Sequence, residues 1–201
     1  PDVLSDATAE LAMLLMLGAA RHAVAGDRIV RAGAWDSWSP AFMVGKQVTG
    51  ARLGIIGMGR VGRAFAAKAR GFDMDVHYYN RSELSSDQAF GATYHETVES
   101  LLGVADFLSL HCPATPETTN MMSADRFALL PRGAVIVNTA RGALIDEDAL
   151  LAALQSGQIS AAGLDCFKVE PGGNPEFASH DNIFMLPHIG SATTKTRDAM
   201  G

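Results

Sequence analysis

Short apolar runs alternate with helix-spaced apolar residues along most of the chain after Ala51. Continuous apolar runs of four or five residues indicate buried strands, and apolar residues that recur every three or four positions indicate helices packed on them. Strands that alternate with helices build βαβ units with right-handed crossovers, so the pattern predicts an α/β fold with a doubly wound parallel sheet. The predicted strands are 53–56, 76–79, 107–110, 134–138, 161–164 and 183–186.

Capping residues predict several helix boundaries. Asp6 is expected to cap a first helix that runs to about Ala25. The run Thr93-Tyr94-His95-Glu96 matches a capping box ahead of another helix. Asp146 is expected to cap a helix that Gly157 closes.

The first predicted helix is apolar on nearly every side between Leu11 and Ala20. A helix without a polar face must be covered all round, so residues 1–34 are expected to lie between domains or between subunits. The apolar run is too short to span a bilayer and no signal peptide is visible, which favours a cytoplasmic protein without a membrane partner.

Composition narrows the function classes. The chain has 201 residues, of which 48% are hydrophobic and 19% charged, as in ordinary globular domains. A net charge of −6 argues against a nucleic-acid partner. Two cysteines, Cys112 and Cys166, are too few and too far apart for a zinc cluster, and both sit in apolar runs. No metal site is predicted, and the thiols fit a reducing compartment.

The segment Gly57-Met58-Gly59-Arg60-Val61-Gly62 fits the pattern G-x-G-x-x-G. The pattern alone is weak, but here it follows a predicted strand and opens a predicted helix, as a dinucleotide-binding loop requires. Gly57 permits the tight turn, Gly59 lets the backbone approach a pyrophosphate, and Gly62 lets the helix pack close to the strand. The helix N-terminus offers free N–H groups to the anion. A glycine-rich turn without function is the alternative.

The residues Asn80, Arg81 and Ser82 follow the second predicted strand, where NAD sites place a carboxylate for the ribose 2′-hydroxyl. Asn80 is neutral, Arg81 can pair with a phosphate, and Ser82 can donate a hydrogen bond. The segment therefore favours NADP(H), with NAD(H) as the alternative, because these residues could also form only a polar turn.

Three residues follow the carboxyl ends of predicted strands, where open α/β sheets bind ligands. Arg141 suits bidentate binding of a substrate carboxylate. His188 suits proton donation to a carbonyl oxygen, and Glu170 suits an anionic partner that holds the His188 ring. Taken singly, each has a structural alternative in a capping arginine, a loop glutamate or a turn histidine. Together they predict reduction of a 2-keto acid, with the hydride supplied by the cofactor.

His111 is the rival base, since it also follows a predicted strand. No acid lies near it in the sequence to orient its ring. A role in the wall of the site or beside the cofactor is therefore favoured.

Five motifs together resemble the D-isomer-specific 2-hydroxyacid dehydrogenases. The resemblance covers nearly the whole chain and implies a Rossmann-type dinucleotide-binding domain over residues 35–201, with the catalytic set Arg141, Glu170 and His188. The motifs are the glycine loop 57–62, Leu110-His111-Cys112-Pro113-Ala114-Thr115-Pro116-Glu117-Thr118, Asn138-Thr139-Ala140-Arg141-Gly142, Gly163-Leu164-Asp165-Cys166-Phe167 and Pro187-His188-Ile189-Gly190-Ser191-Ala192-Thr193.

The resemblance also implies where the cofactor binds. Besides the six residues of the glycine loop and the three at 80–82, the implied contacts are His111, Cys112, Pro113, Thr118, Thr139, Ala140, Arg141, Asp165, His188 and Gly190. Trp35, Trp38 and Pro40 look most like the glyoxylate/hydroxypyruvate reductase branch. Cys166 and Lys168 depart from the usual valine and acidic residue, and neither departure removes a catalytic group.

Members of the family carry a separate substrate-binding domain, which is expected to lie outside this chain, together with most of a closing helix that begins near Thr193. The chain is therefore expected to bind cofactor and to reduce keto acids poorly or not at all. Because family dimers pack through the segment of the first helix, a homodimer is expected. Two alternatives stay open, namely a dehydrogenase of another D-2-hydroxy acid such as phosphoglycerate, and a non-catalytic NAD(P) sensor resembling corepressors of this fold.

Overall fold

The sheet can be followed through the residues that the computed structural model describes, 2–200. Within them seven strands lie in one sheet: β1 (Arg52–Ile56), β2 (Asp75–Tyr79), β3 (Thr93–His95), β4 (Phe107–Leu110), β5 (Ala134–Asn138), β6 (Ile159–Leu164) and β7 (Ile183–Met185). Their order is β3-β2-β1-β4-β5-β6-β7, and all neighbouring pairs are parallel. The predicted doubly wound, Rossmann-type sheet is confirmed.

Helices cover both faces of the sheet, so its central strands are buried on both sides. Every residue of β4 and β5 is buried, which explains why their sequences read as continuous apolar runs. The helices are α1 (Ser5–Ala20), α2 (Ala23–Arg31), α3 (Arg60–Ala69), α4 (Ser86–Ala89), α5 (Val98–Leu102), α6 (Ala124–Leu129), α7 (Glu147–Gln155) and α8 (Thr194–Met200). One core packs α1 and α3 on the sheet, and a second packs α5, α6 and α7 on the opposite face.

The first helix is shorter than predicted. It ends at Ala20, and His22 takes a left-handed φ of +54° before α2 begins. Leu4 occupies the N-cap position, and Asp6 instead pairs with Lys68 at 2.8 Å. The capping expectation failed because an ion pair to α3 takes the carboxylate.

The helix α1 lies directly on the sheet. A Cβ atom at Gly163 of β6 would lie 2.9 Å from the Leu15 carbonyl oxygen, so only a glycine allows this close approach. Most apolar residues of α1 are therefore covered by the domain itself, while Leu14 is 50% exposed. A place for this helix between domains or subunits stays a prediction.

The predicted capping box at residues 93–96 is wrong. Thr93–His95 forms the edge strand β3 beside β2, and the N-cap of α5 is Thr97, whose side chain accepts a hydrogen bond from Ser100 N. The strand was missed because it is short and polar, and its pairing with β2 depends on distant residues. The cap at Asp146 is confirmed by a 3.2 Å hydrogen bond from Ala149 N.

The topological switch point of the sheet lies between β1 and β4, where the chain changes the side on which it adds strands. From β1 it proceeds outward to β2 and β3, and it then returns to β4 on the other side. Ligands of open α/β sheets bind in the crevice at the carboxyl ends of the strands flanking such a point. The loops after Ile56 and Leu110 therefore border the expected site.

Candidate active site

The glycine loop has the shape that the three glycines predict. Gly57 adopts a φ of +97°, and a Cβ atom there would lie 2.5 Å from Cys112 N. At Gly62 a Cβ atom would lie 2.4 Å from the Gly57 carbonyl oxygen, so α3 packs tightly against the loop. A Cβ atom at Gly59 would meet no described atom within 4 Å, which leaves the backbone open on that side. Gly59 is also the N-cap of α3.

The end of β2 is tied to the glycine loop. Asn80 Oδ1 accepts a hydrogen bond from Met58 N at 2.8 Å, and Gly57 N donates to Tyr79 O at 3.0 Å. Met58 is 1% exposed and its N–H is bonded to Asn80, so this residue supports the loop from within. Asn80 thus positions the loop, a contact that the sequence did not reveal.

Arg81 and Ser82 are exposed beside this junction. The pKa of Glu117 is lowered mainly by a hydrogen bond from Thr115, with a smaller contribution from the charge of Arg81. A carboxylate therefore lies close enough to Arg81 to offset part of its positive charge.

An open cleft of about 600 Å³ runs along the carboxyl ends of the strands. It collects residues from each of the five motifs, together with Leu4 and Thr8 from the start of the chain, but Asn80, Arg81, Ser82 and Glu170 do not line it. The predicted site residues lining it are Val61, His111, Cys112, Pro113, Thr139, Ala140, Arg141, Asp165, His188 and Gly190.

Two buried polar atoms in this cleft have no hydrogen-bond partner. They are His111 Nδ1 and Thr139 Oγ1, and among the side chains described, those of residues 3–199, no other buried nitrogen or oxygen is unpaired. Unpaired buried polar atoms are rare in folded proteins and indicate a bound molecule or water. Together with the open backbone at Gly59, these atoms fit a dinucleotide along the cleft.

His111 is a neutral residue of the cleft wall. Its Nε2 is 2.9 Å from Ser109 Oγ, and its ring lies 5.2 Å from that of Phe65. Burial lowers the pKa of His111 to about 4, so the ring carries no charge at neutral pH. This geometry supports the sequence argument against His111 as the proton donor.

The two thiols are protonated at neutral pH. Burial raises the pKa of Cys112 to about 11, and burial together with nearby carboxylates raises that of Cys166 to about 12. Cys112 lines the cleft as a neutral group.

The backbone around Arg141 is fixed by the end of β5. Asn138 is fully buried, its Nδ2 donates to Arg141 O at 2.9 Å, and its Oδ1 accepts from Ala140 N at 3.0 Å. A Cβ atom at Gly142 would lie 1.9 Å from the Phe167 carbonyl carbon. The arginine turn is therefore packed directly on the loop that leads to Glu170.

Glu170 and His188 are in contact, as the sequence predicts. His188 Nδ1 lies 2.6 Å from Glu170 Oε2, and Phe167 N donates to Glu170 Oε1 at 2.8 Å. Burial acts to raise the pKa of Glu170, but the hydrogen bonds from His188 and Phe167 outweigh it, and the pKa is lowered. The carboxylate is thus ionised at neutral pH and holds one ring nitrogen of His188.

Asp165 holds the turn that carries His188. His188 has a left-handed φ of +53°, which is uncommon for a residue with a side chain. The Asp165 carboxylate accepts hydrogen bonds from Ile189 N and Gly190 N, each at 2.8 Å. Burial raises the pKa of Asp165, and these two N–H groups oppose the rise.

Several predicted site residues lie outside the cleft. Thr118 Oγ1 donates to Pro113 O at 2.8 Å and accepts from Thr115 N at 2.7 Å, so it shapes its own loop. Arg60 lines a separate surface depression with Arg63 and Phe90.

Sequence reasoning missed two supporting residues. They are Asn138, which fixes the turn of Arg141, and Glu147, a buried acid bonded to Lys168 N and Asn174 Nδ2. No local pattern marks Glu147, because its partners come from another segment of the chain. Asn138 bonds to residues two and three positions later, a local Asx-type turn to which the sequence analysis assigned no role.

The side chains of residues 3–199 include no group of three or more His, Cys, Asp or Glu placed to hold a metal ion. In the same range no single helix is long and apolar enough to cross a membrane; α1 and α2 reach that length only together, and they are bent by 67°.

Known proteins place the chain in a family. Residues 13–190 match the sequence model of a protein family that is described as "D-isomer specific 2-hydroxyacid dehydrogenase, NAD binding domain". Over its whole length the chain is 43% identical to a glycerate dehydrogenase of Hyphomicrobium methylovorum and 44% identical to a glyoxylate reductase of Pyrococcus furiosus. It spans 63% and 61% of those two proteins.

A solved structure gives the same result. The NADPH-dependent glyoxylate/hydroxypyruvate reductase of Sinorhizobium meliloti, in complex with NADP and malonate, superposes on the whole chain with a TM-score of 0.88 at 34% identity. The chain covers 62% of that structure. With the sheet, the glycine loop and the cleft in agreement, the chain belongs to the D-isomer-specific 2-hydroxyacid dehydrogenase family and comprises its NAD-binding domain.

Proposed function

We propose that the protein reduces a small 2-keto acid to the 2-hydroxy acid with NADPH. The observation that carries the proposal is the 2.6 Å contact between His188 Nδ1 and Glu170 Oε2 beside a cleft that Arg141 also lines. A histidine with one nitrogen fixed by a carboxylate is a suitable general acid. The nearby guanidinium supplies the cation that a keto-acid carboxylate requires.

The chain's own residues would divide the reaction among them. Arg141 binds the substrate carboxylate and turns the carbonyl carbon toward the cofactor. His188 donates a proton from Nε2 to the carbonyl oxygen, while Glu170 stabilises the charged ring before transfer. The glycine loop and the cleft wall would hold a nicotinamide dinucleotide, which supplies the hydride when bound. In the reverse direction the same imidazole accepts the proton.

The preference for NADP(H) over NAD(H) rests on the end of β2. Asn80 is neutral, so it would not repel a 2′-phosphate, and exposed Arg81 could pair with one. The Sinorhizobium relative is named as NADPH-dependent. The nearby Glu117 opposes this preference by offsetting Arg81, which keeps NAD(H) as the alternative cofactor.

Glyoxylate or hydroxypyruvate is the proposed substrate, since the similar proteins are named for these or for glycerate. Phosphoglycerate is the competing substrate within the same chemistry. A non-catalytic dinucleotide sensor is the competing class, and the complete arginine, glutamate and histidine set favours an enzyme over it.

We further propose that the protein is a cytoplasmic homodimer that contacts neither nucleic acid nor membrane. Exposed apolar side chains on and after α2 support a partner surface there. They are Val30, Trp35, Trp38, Phe42 and Val44. Sedimentation of the chain at several concentrations tests the dimer, and a monomer throughout would contradict it.

The test of activity is oxidation of NADPH and NADH in parallel with a panel of 2-keto acids. We expect turnover by the full-length protein with glyoxylate or hydroxypyruvate, and poor or no turnover by residues 1–201 alone. Tight cofactor binding without consumption on any acid would favour the sensor.

The cofactor preference has its own test in the double change Asn80→Asp and Arg81→Ala. An aspartate can still accept the hydrogen bond from Met58 N, so the glycine loop keeps its support while the phosphate partner is lost. We expect the preference to move toward NADH. An unchanged NADPH:NADH ratio would show that this segment does not read the 2′-position.

A further inference from the structure

The loop that carries Glu170 is held at its base by a buried carboxylate from another element. Glu147, the first residue of α7, is 9% exposed. Its Oε1 accepts a hydrogen bond from Lys168 N at 2.9 Å, and its Oε2 accepts one from Asn174 Nδ2 at 3.1 Å. The two donors stand on either side of Glu170 in the sequence, so one carboxylate binds both stems of its loop.

The carboxylate of Glu147 is not part of an ion pair. Among the described residues, no lysine, arginine or histidine forms a salt bridge with Glu147. Buried polar groups need hydrogen-bond partners, and both oxygens of this carboxylate find theirs in a single loop. The carboxylate is therefore placed to fix the geometry of that loop.

The bonds of Glu147 lead by short steps to the candidate proton donor. Lys168 N is adjacent to Phe167, whose own N–H donates to Glu170 Oε1 at 2.8 Å. Glu170 Oε2 then meets His188 Nδ1 at 2.6 Å. The carbonyl carbon of Phe167 also packs against Gly142, so the same loop sets the spacing to the turn of Arg141.

We propose that Glu147 is a positioning residue that keeps the Glu170 carboxylate in register with His188. The proposal rests on the proposed function of that pair. Without Glu147, Lys168 N and Asn174 would be free to bond to water, the loop would relax, and the contact between Glu170 and His188 would lengthen. The effect on catalysis would be indirect, through the charge state of His188.

Three charged groups face His188: Arg141 follows β5, and Asp165 and Glu170 both follow β6. Glu170 contacts its ring, Asp165 lies beneath the N–H groups of the next two residues, and Arg141 lines the same cleft. Of these, only Glu170 stands on the segment that Glu147 holds. A change at Glu147 should therefore reach the His188 ring through Glu170.

The test is the titration of the His188 ring, followed by NMR in the chain itself. His188→Gln assigns the signal. Glu170→Gln gives the reference shift for loss of the carboxylate, and Asp148→Ala is the matched control, an exposed acid on the same turn of α7. We expect Glu147→Ala to lower the titration midpoint by at least half of the reference shift, Glu147→Gln to lower it less, and Asp148→Ala to leave it unchanged.

The outcomes separate this inference from the proposed function. If Glu170→Gln lowers the midpoint and Glu147→Ala lowers only the melting temperature, Glu147 is merely structural and the inference is wrong. If neither change moves the midpoint, the proposed acid–base pair fails together with the inference. Should Glu147→Ala not fold, Glu147→Gln decides, because it keeps an oxygen for Lys168 N and loses the acceptor for Asn174.

Discussion

On the β1–β3 side of the switch point the candidate site is built mainly from backbone, whereas on the β5–β7 side it is built from charged side chains. Gly57 and Gly59 present bare main chain, and Met58 between them is buried, with its N–H bonded to Asn80. Across the cleft, Glu170 and His188 meet through their side chains.

The two sides depend on different supports. The backbone side needs space, because a Cβ atom at Gly57 would clash with Cys112 N in the loop after β4. The side-chain side needs anchors, and each functional residue has one in a buried polar group: Asn138 for the turn of Arg141, Glu147 for the loop of Glu170 and Asp165 for the turn of His188. Substitutions on the backbone side should therefore disrupt the site through steric clashes. Substitutions on the side-chain side should disrupt it through lost hydrogen bonds.

The largest expected effect is on the side-chain side. His188→Ala removes the proton donor and should lower kcat for keto-acid reduction by the full-length protein about 10²–10⁴-fold, the usual contribution of a general acid. NADPH affinity should change much less than kcat, because His188 is only one of the proposed cofactor contacts and the backbone side is untouched. Steady-state kinetics with a fluorescence titration measure both, and His180→Ala, outside the cleft, is the control. Near-normal kcat would remove His188 from the reaction.

The difference between the two sides also explains what could be read from the sequence. Gly57, Gly59 and Gly62 form a local pattern whose geometry follows from adjacent residues, and the predicted turn at Gly57 and close packing at Gly62 match the structure. Six strands were predicted because buried parallel strands are continuously apolar. The edge strand β3 and the kink at His22 were missed, since both depend on packing between distant segments.

Most of the residues that support the site could not be predicted either, because their bonding partners are distant in the sequence. Arg141, Glu170 and His188 could be singled out by residue type and by position after strands. Glu147 and the contact of Asn80 with Met58 act through partners 21 to 27 residues away, and no spacing rule marks them. Asn138 acts on residues two and three positions later, and the sequence analysis assigned no role to this local turn.

On the backbone side, Gly57→Ala should give the next largest effect. The left-handed φ of +97° costs a non-glycine residue about 1–2 kcal/mol, and displacing Cys112 N should add about 1–3 kcal/mol as overpacking does. Urea unfolding measures the loss of stability, and we also expect cofactor binding to disappear. Gly133→Ala is the control for strain alone, because Gly133 has a φ of +78° but its Cβ atom would meet no described atom within 4 Å. Equal losses in the two variants would exclude the steric argument.

His111 lines the cleft between the two sides. Its buried ring should make the free energy of unfolding depend on pH. Its folded pKa of about 4 lies below the ordinary 6.5, so between these values the unfolded chain binds more protons than the folded one. Above pH 6.5 the neutral ring makes its full contribution to the free energy of unfolding. That contribution is lost as the pH falls, and at pH 5 the loss is about 2 kcal/mol.

Urea unfolding at pH 7 and pH 5 checks this value. In His111→Asn the difference between the two pH values should shrink by about that 2 kcal/mol, whereas His180→Asn should keep it. A wild-type protein equally stable at both pH values would show that the His111 ring is less buried than the structure indicates.

The smallest expected effect concerns Thr139, where stability and binding should move in opposite directions. Its buried hydroxyl has no partner, so Thr139→Val exchanges an unsatisfied polar group for a methyl group of similar shape. Removing an unsatisfied polar group should stabilise the cofactor-free chain by about 1 kcal/mol. If the hydroxyl bonds to the dinucleotide, losing that bond should weaken binding by a similar free energy, about fivefold in Kd. Thr119→Val is the control, because the Thr119 hydroxyl donates to Thr115 O at 2.9 Å on an exposed loop and should leave the Kd unchanged. A more stable variant with unaltered affinity would mean that the hydroxyl meets water, and Thr139 would then leave the set of proposed cofactor contacts.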